Sequence, residues 1–258
     1  MDLQQPAVIM GIGEIGGTFA RGLLRSGYPV FPVLRDSDRR ALAAQLPIPL
    51  ATVVTVGEAD LDHALATLPE QWSGSVALVQ NELLPRNWLA HGLSHPTVAV
   101  VWFEKKPGRA EKVIIPTPVY GPIAPHLIDA LNSIGIAASE LATEDDLMYE
   151  LVRKNMYILT ANIAGLVTQG TVHDLWYNNR RLAESVAEEI LPIQEWLTGK
   201  QLDRDHLIAG MAEAFDADPE HSSTGRSAPA RLARAIEHAA QAGVDVPTLR
   251  EIASDTEG

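Results

Sequence analysis

"PAVIMGIGEIGGTFARGLLRSGYPVFPVLRDSD", residues 6–38, decides how the rest of the chain is read. "AVIM" is a short apolar run, suited to a strand buried in a parallel sheet. Gly11, Gly13 and Gly16 then give G-x-G-x-x-G, with Gly17 following. "EIGGTFARGLLRSG" places apolar residues at helical spacing and stops at Gly27. "PVFPVL" is a second strand. In this setting the first glycine allows a tight turn, the second lets a pyrophosphate approach the backbone, and the third lets helix and strand pack closely. The helix N-terminus then faces the phosphates. A glycine-rich turn without a ligand shares the motif. The strand before it and the helix after it give it weight as a dinucleotide site. The expected contacts are Gly11, Ile12, Gly13, Glu14, Ile15 and Gly16, with Val56 at the end of the third strand.

The end of the second strand selects the cofactor. An acid there binds the adenosine ribose of NAD, whereas an arginine suits the 2′-phosphate of NADP. The sequence reads "VLRDSDRR", so Arg35 holds that place, Asp36 follows it, and Arg39 and Arg40 lie close by. The positive charge sits where the phosphate would lie, and NADP (NADPH) is the expected cofactor.

Strands and helices continue to alternate. "ATVVTV" and "SVALVQN" read as strands, "ADLDHALATLP" and "LLPRNWLAHGL" as helical. "TVAVVWFE" and "EKVIIPTPVYG" are strands around the turn "KKPG", a hairpin late in the sheet. "APHLIDALNSIG" is an amphipathic helix and "IAASEL" a last strand. The pattern predicts an α/β fold, an N-terminal Rossmann-type doubly wound parallel sheet over residues 1–142. Asn81 falls just past a strand's C-terminal end, where such sheets bind ligands, although asparagine is also a turn former. From residue 143 to 258 only helices are expected, an all-α domain. Helical segments are "HDLWYNNRRLAESVAEEILPIQEWL", "RDHLIAGMAEAF", "APARLARAIEHAAQAG" and "PTLREIA", with the tail "SDTEG" frayed.

Composition narrows the function classes. The 258 residues are 46% hydrophobic and carry a formal net charge of −13. That balance argues against nucleic acid as partner. It also gives weight to any cation in a cleft that takes an anionic substrate. There are no cysteines, so thiolate chemistry and cysteine-bound zinc are excluded, and no metal is expected. "MDLQQPAVIM" lacks the pattern of a secretory signal, and no apolar run reaches the length of a membrane span, so a cytoplasmic location is expected.

"ATEDDLMYELVRKNMYILTANIAGLVTQG", residues 142–170, reads as one long helix capped by Thr143, with Glu144, Asp145 and Asp146 in its first turn. At about 100° per residue, Leu147, Leu151, Ile158, Met148, Val152, Leu159 and Ile163 form an apolar arc, with Glu150 and Arg153 opposite. Asn155 and Asn162 fall inside the arc and Lys154 at its edge. Buried polar groups need partners. Either another element satisfies these three, as packing residues, or the arc borders a polar cleft.

"GIGEIGG", the "VLR" that ends the second strand, "QN" after a later strand, the lysine–asparagine helix, "HSSTGR" and "AGVDVP" occur in order. Together they resemble the ketopantoate reductase family, over nearly the whole chain. The resemblance implies a Rossmann domain followed by a helical domain, with the active site between them and NADPH reducing a 2-oxo acid to the 2-hydroxy acid. It implies Lys154 as general acid, Asn162 and Asn81 as residues that orient the carbonyl, Asn81 also near the cofactor, Arg35 at the 2′-phosphate, and Ser222 and Ser223 on the substrate. Asn155 is a further substrate-binding candidate. The small-molecule substrate would be a carboxylate. The family's first helix asparagine falls on Ile158, the glycine after its strand asparagine is Glu82, and "RSAPARLARA" contains no counterpart of its glutamate. These departures keep open another hydroxyacid dehydrogenase or imine reductase of the same plan, or a non-catalytic NADP-binding protein. The number of amphipathic helices favours a homodimer.

Overall fold

Four residues without a polar side chain, "AVIM", form β1 (Ala7–Met10), and every one of them is buried. Such a strand has to lie inside a sheet covered on both faces. The computed structural model describes residues 5–46 and 48–257. β1 pairs in parallel with β2 (Val30–Val33) on one side and β3 (Ala51–Val54) on the other. β4 (Val76–Leu78) and β5 (Thr97–Ala99) extend the sheet beyond β3, and β8 (Thr117–Tyr120) and β9 (Ala138–Glu140) complete it. The order is β2-β1-β3-β4-β5-β8-β9. β2 is the edge strand, which is why it tolerates Pro32. Helices α1 (Glu14–Arg25), α2 (Arg39–Gln45), α3 (Leu61–Ala66), α4 (Pro85–Leu89) and α5 (Ala124–Ser133) connect the strands. Ile9, Val53 and Val119 of the sheet bury against Phe19 and Leu23 of α1 and Leu127 and Leu131 of α5. α1 and α5 touch at Gly22, where a Cβ would lie 2.5 Å from the carbonyl oxygen of Ala130.

Two features depart from the expected pattern. The hairpin read late in the sheet is present, with β8 antiparallel to β5 and β9 parallel to β8, but its form differs. No helix separates β5 from β8, so the chain has no crossover and must return in the opposite direction. The runs read as two long strands are each divided. Their inner ends, β6 (Phe103–Glu104) and β7 (Lys112–Val113), pair as a separate two-stranded hairpin. The second departure is α2, for which no helix was read. Its signal lay in "DRRALAAQ": the Asp38 side chain caps it by accepting from the Ala41 N–H at 3.0 Å.

The chain divides into two compact units, one ending at Glu150 and the other beginning at Leu151. The division falls inside α6 (Glu144–Thr168), not ahead of it. Thr143 caps that helix as expected, accepting from the Asp146 N–H at 3.1 Å, while Asp146 accepts from the Thr143 N–H at 3.0 Å. The second unit adds α7 (Arg180–Thr198), α8 (Arg204–Ala217), α9 (Ala228–Ala242) and α10 (Pro247–Glu257). A π-helical turn, Asp174–Asn178, precedes α7 and buries Trp176 beside Phe215. The tail read as frayed continues α10 to Glu257, and Gly258 lies outside the described residues.

α6 is the axis of this unit. Every residue from Leu151 to Ala161 is buried, so the expected solvent-facing side, with Arg153 on it, does not exist over those turns. Neighbouring helices enclose it and meet some of its polar groups, although the buried hydroxyls of Tyr157 and Thr160 make no hydrogen bond among the described residues. Arg153 donates through Nε to the Gly210 carbonyl at 2.8 Å and pairs with Glu213 at 3.2 Å. Asn155 donates to Gln194 of α7 at 3.1 Å, both side chains being buried. Asn155 thus takes the packing alternative, and the substrate-binding expectation for it has no support in this geometry. Asn155→Leu should lower stability by about 1–3 kcal/mol by removing the donor that Gln194 accepts from. Adding Gln194→Met should restore most of the loss. Urea unfolding of both variants checks this, and a double variant no more stable than the single one would contradict the pairing.

Candidate functional site

The first unit's site begins where strand order reverses, between β1 and β3, the place where open α/β sheets bind ligands. Gly11 leaves β1 with φ +94°, a conformation suited to glycine. A Cβ there would lie 3.1 Å from Val56. A Cβ at Gly16 would fall well inside contact distance of the Gly11 carbonyl oxygen and 2.6 Å from Thr55 Oγ1. Thr55 closes this junction by donating to the Gly11 carbonyl at 2.5 Å. Gly13 differs: a Cβ on it would meet nothing within 4 Å among the described residues. Gly13 also begins α1 without any side-chain cap. The loop is therefore tight where it must pack and open where a phosphate would approach.

The open side is a pocket of about 260 Å³ lined by Ile12, Gly13, Glu14, Gly17, Thr18, Arg21, Lys105 and Glu111. Ile12 is exposed on this loop, and Ile15 packs against the core beneath it. The β6–β7 hairpin supplies Lys105 and Glu111. Lys105 pairs with Glu14 at 3.5 Å, and Glu111 pairs with Arg21 at 2.9 Å and accepts from Thr18 at 2.9 Å. Burial acts to raise the Glu111 carboxyl. Hydrogen bonds from Arg21, its own backbone and Thr18, with the Arg21 charge, outweigh burial and hold it below the ordinary glutamate value of 4.5.

Arg35 stands in the turn after β2, its side chain 91% exposed and 3.5 Å from Asp60. An exposed pair at that distance is weak, so the guanidinium can exchange partners. Arg39 is tied to Thr67 instead, and Asp38 is committed to capping α2. Beyond β4, Gln80 is buried and donates to the carbonyls of Val54 (2.7 Å) and Val56 (3.3 Å), locking the ends of β3 and β4 together. Asn81 follows, half-buried, at the start of a turn. Glu82 adopts φ 54°, the left-handed region that favours glycine.

In the second unit, Lys154 is 5% exposed in the enclosed part of α6. Asn162, two turns on, is partly exposed, and its Oδ1 accepts from Arg231 Nη1 of α9 at 2.5 Å. Ser223 is buried and its hydroxyl lies 2.9 Å from the carbonyl of Gln169. A Cβ on Gly165 would come within 2.5 Å of the Ser223 carbonyl, so this serine loop packs directly on α6. Ser222 is exposed and donates to the Thr224 carbonyl at 2.9 Å. Both serine hydroxyls thus donate to backbone carbonyls, Ser222 within its own loop and Ser223 at the end of α6. Within each unit the structure brings together Gly11, Gly16 and Val56, and Asn162 with Arg231. Arg231, Thr55, Lys105 and Glu111 were missed in the sequence. An arginine inside "RLARA" reads as a solvated helix face, and only the close approach of α9 to Asn162 reveals otherwise.

The two glycines separate packing from binding. Gly16→Ala should destabilise the protein by about 1–3 kcal/mol through overpacking. Gly13→Ala should leave the urea midpoint near wild type and weaken nucleotide binding, read by fluorescence titration. Equal losses of stability would refute the distinction. Glu111 gives a pH signature. Its folded pKa is depressed, so its stabilisation is present at neutral pH and is lost as pH falls through that depressed value. The stability difference between wild type and Glu111→Gln should therefore shrink on acidification. A constant difference in urea midpoints would count against the ion pair.

Among the described residues no cluster of three metal-ligating side chains occurs, and no helix is long and apolar enough to cross a membrane. No family model and no curated protein matches the chain by sequence. Solved structures do. A dimeric ketopantoate reductase from Staphylococcus aureus superposes with a TM-score of 0.69, covering 98% of this chain and 97% of its own, at 14% identity. A ketopantoate reductase from Ralstonia eutropha gives 0.68, with 98% and 97% covered, also at 14% identity. A D-mandelate dehydrogenase solved with NADH gives 0.66, with 98% of each chain covered, at 14% identity. Likeness over nearly the full length of each chain establishes that this protein has the fold of the ketopantoate reductases.

Proposed function

We propose that the protein is an NADP-dependent oxidoreductase that reduces the carbonyl of a small 2-oxo acid. The observation that carries this reading is the glycine loop: it is closed at Gly16 by the Gly11 carbonyl and open at Gly13, at the reversal point of the sheet. In this reading Gly11, Ile12, Gly13, Glu14, Ile15 and Gly16 hold the pyrophosphate, with Val56 beside them and Asn81 toward the nicotinamide end. Arg35 takes the 2′-phosphate, where a guanidinium and a phosphate match in geometry and charge. NADPH, when bound, supplies the hydride. Lys154 donates the proton to the developing alkoxide, a task for a donor held in a fixed, water-poor place. Asn162 orients the substrate. The reading extends to a cytoplasmic homodimer. Support comes from the dimeric state of the Staphylococcus aureus protein with the same fold and from the absence of cysteine in this chain.

Asp36 beside Arg35, and an NADH complex in the same fold, make cofactor choice the first thing to measure. Parallel fluorescence titrations should show NADPH bound more tightly than NADH. Arg35→Ala should remove about tenfold or more of that preference through the lost phosphate contact. Lys154→Ala should lower kcat by about 10²–10⁴-fold, the range of a general acid, with NADPH affinity close to wild type. Near-normal turnover in Lys154→Ala would remove the lysine from the chemistry. Reduction of cyclic imines without any 2-oxo acid would transfer the site to the imine reductases.

A further inference from the structure

The β6–β7 hairpin is fastened to the first turns of α1 by two ion pairs of unequal strength. Glu111 holds Arg21 at 2.9 Å and accepts from Thr18 at 2.9 Å, and its side chain is 10% exposed. The Arg21 charge is thereby committed. Lys105, on the other limb of the hairpin, lies 3.5 Å from Glu14, whose side chain is 42% exposed. A pair that long, with one member in solvent, is weak. Of the two cations that line the pocket beside Gly13, Lys105 is the one whose acidic partner is easily displaced.

The hairpin turn, more than Glu14, holds Lys105 in place. In "KPGR", residues 106–109, Pro107 precedes Gly108 at φ +71°, the pattern of a type II turn. The Arg109 N–H closes the turn on the Lys106 carbonyl at 3.1 Å. Lys105 Nζ donates to that same carbonyl at 3.3 Å and to the Arg109 carbonyl. An ammonium has three N–H donors. The turn uses two and the third is directed to Glu14, so the charge keeps its position when the third partner changes. Glu14 is the first residue of α1, where an acid suits the helix dipole. A pyrophosphate brings more negative charge to the same end and competes with Glu14 for it. We propose that Lys105 is a cofactor-binding residue: its ammonium leaves Glu14 for a pyrophosphate oxygen on the open side of Gly13, and the hairpin anchored by Glu111 clamps the dinucleotide. This inference rests on the reading of the glycine loop as a dinucleotide site.

The test is calorimetric titration with 2′-phospho-ADP-ribose, which keeps the pyrophosphate, and adenosine 2′-phosphate, which lacks it. Lys105→Met should weaken the first by about tenfold, the loss of one charge-assisted contact, and leave the second near wild type. Its binding should also depend less on salt, because one charge has left the contact. Lys105→Arg should recover most of the affinity. Equal losses for the two ligands would mean that Lys105 only holds the hairpin and would overturn the proposal. The double variant with Glu14→Gln is decisive: the Lys105→Met loss should persist in that background, whereas its disappearance would show that the lysine merely neutralises Glu14. Glu14→Gln alone should tighten 2′-phospho-ADP-ribose severalfold, which keeps the proposal testable if Lys105→Met fails to fold; unchanged or weaker binding would count against it. Binding of 2′-phospho-ADP-ribose that depends on Lys105, in a protein that reduces no carbonyl, would support the clamp and sink the reductase reading. Carbonyl reduction with NADPH affinity independent of Lys105 would do the reverse. No binding of either ligand and no reduction would end both.

Discussion

A helix buried around its whole circumference has no water to satisfy its polar side chains, and α6 is in that position from Leu151 to Ala161. Each polar group along it must then be met by a neighbouring element or carry a large desolvation cost. The second unit is arranged around that constraint. Gln194 of α7 meets Asn155, Gly210 and Glu213 of α8 meet Arg153, and Arg231 of α9 meets Asn162. These contacts fix rotation and register where apolar packing alone tolerates slippage. Gly165 lets the serine loop close on the same helix.

A comparable constraint organises the first unit on a smaller scale. The Gly11 carbonyl occupies the space that any side chain at position 16 would need, and Thr55 holds that carbonyl in place. Gln80 ties the ends of β3 and β4 behind it. Strand ends, loop and helix start are thereby fixed together, with the face at Gly13 left open.

Much of this was legible in the sequence. The glycine spacing, the strand before it and the helical spacing after it fixed the βαβ unit and the placement of Arg35. Thr143 with Asp146 marked the start of α6. What escaped had physical reasons. The break that splits each hairpin run into two strands is not written in an apolar run, so the separate β6–β7 pair was not read. The arc on α6 was drawn on the assumption of one solvent-facing side, and a fully enclosed helix breaks that assumption. Asn155 and Asn162 looked alike because they share one line on the helix. Their difference lies in partners contributed by α7 and α9, at separations of 39 and 69 residues. The burial of Ser223 and Arg231 escaped for the same reason: it follows from tertiary packing, and neither residue's sequence neighbours hint at it.

The net charge of −13 makes the location of the cations informative. A strongly acidic chain repels an anionic cofactor and an anionic substrate at long range, with a reach of about 8 Å at physiological salt. Affinity must then come from contacts inside that distance, where a few fixed cations outweigh the distributed field. Arg35 is exposed and held by a weak pair with Asp60, so it can exchange partners. Arg231 is buried and donates to Asn162 Oδ1, which holds it in a fixed geometry. A surface arginine in a weak pair can change partners, whereas a buried one held by neighbouring elements keeps its geometry. The two arginines thus differ in freedom, the first standing in an exposed turn after β2 and the second holding α9 against α6.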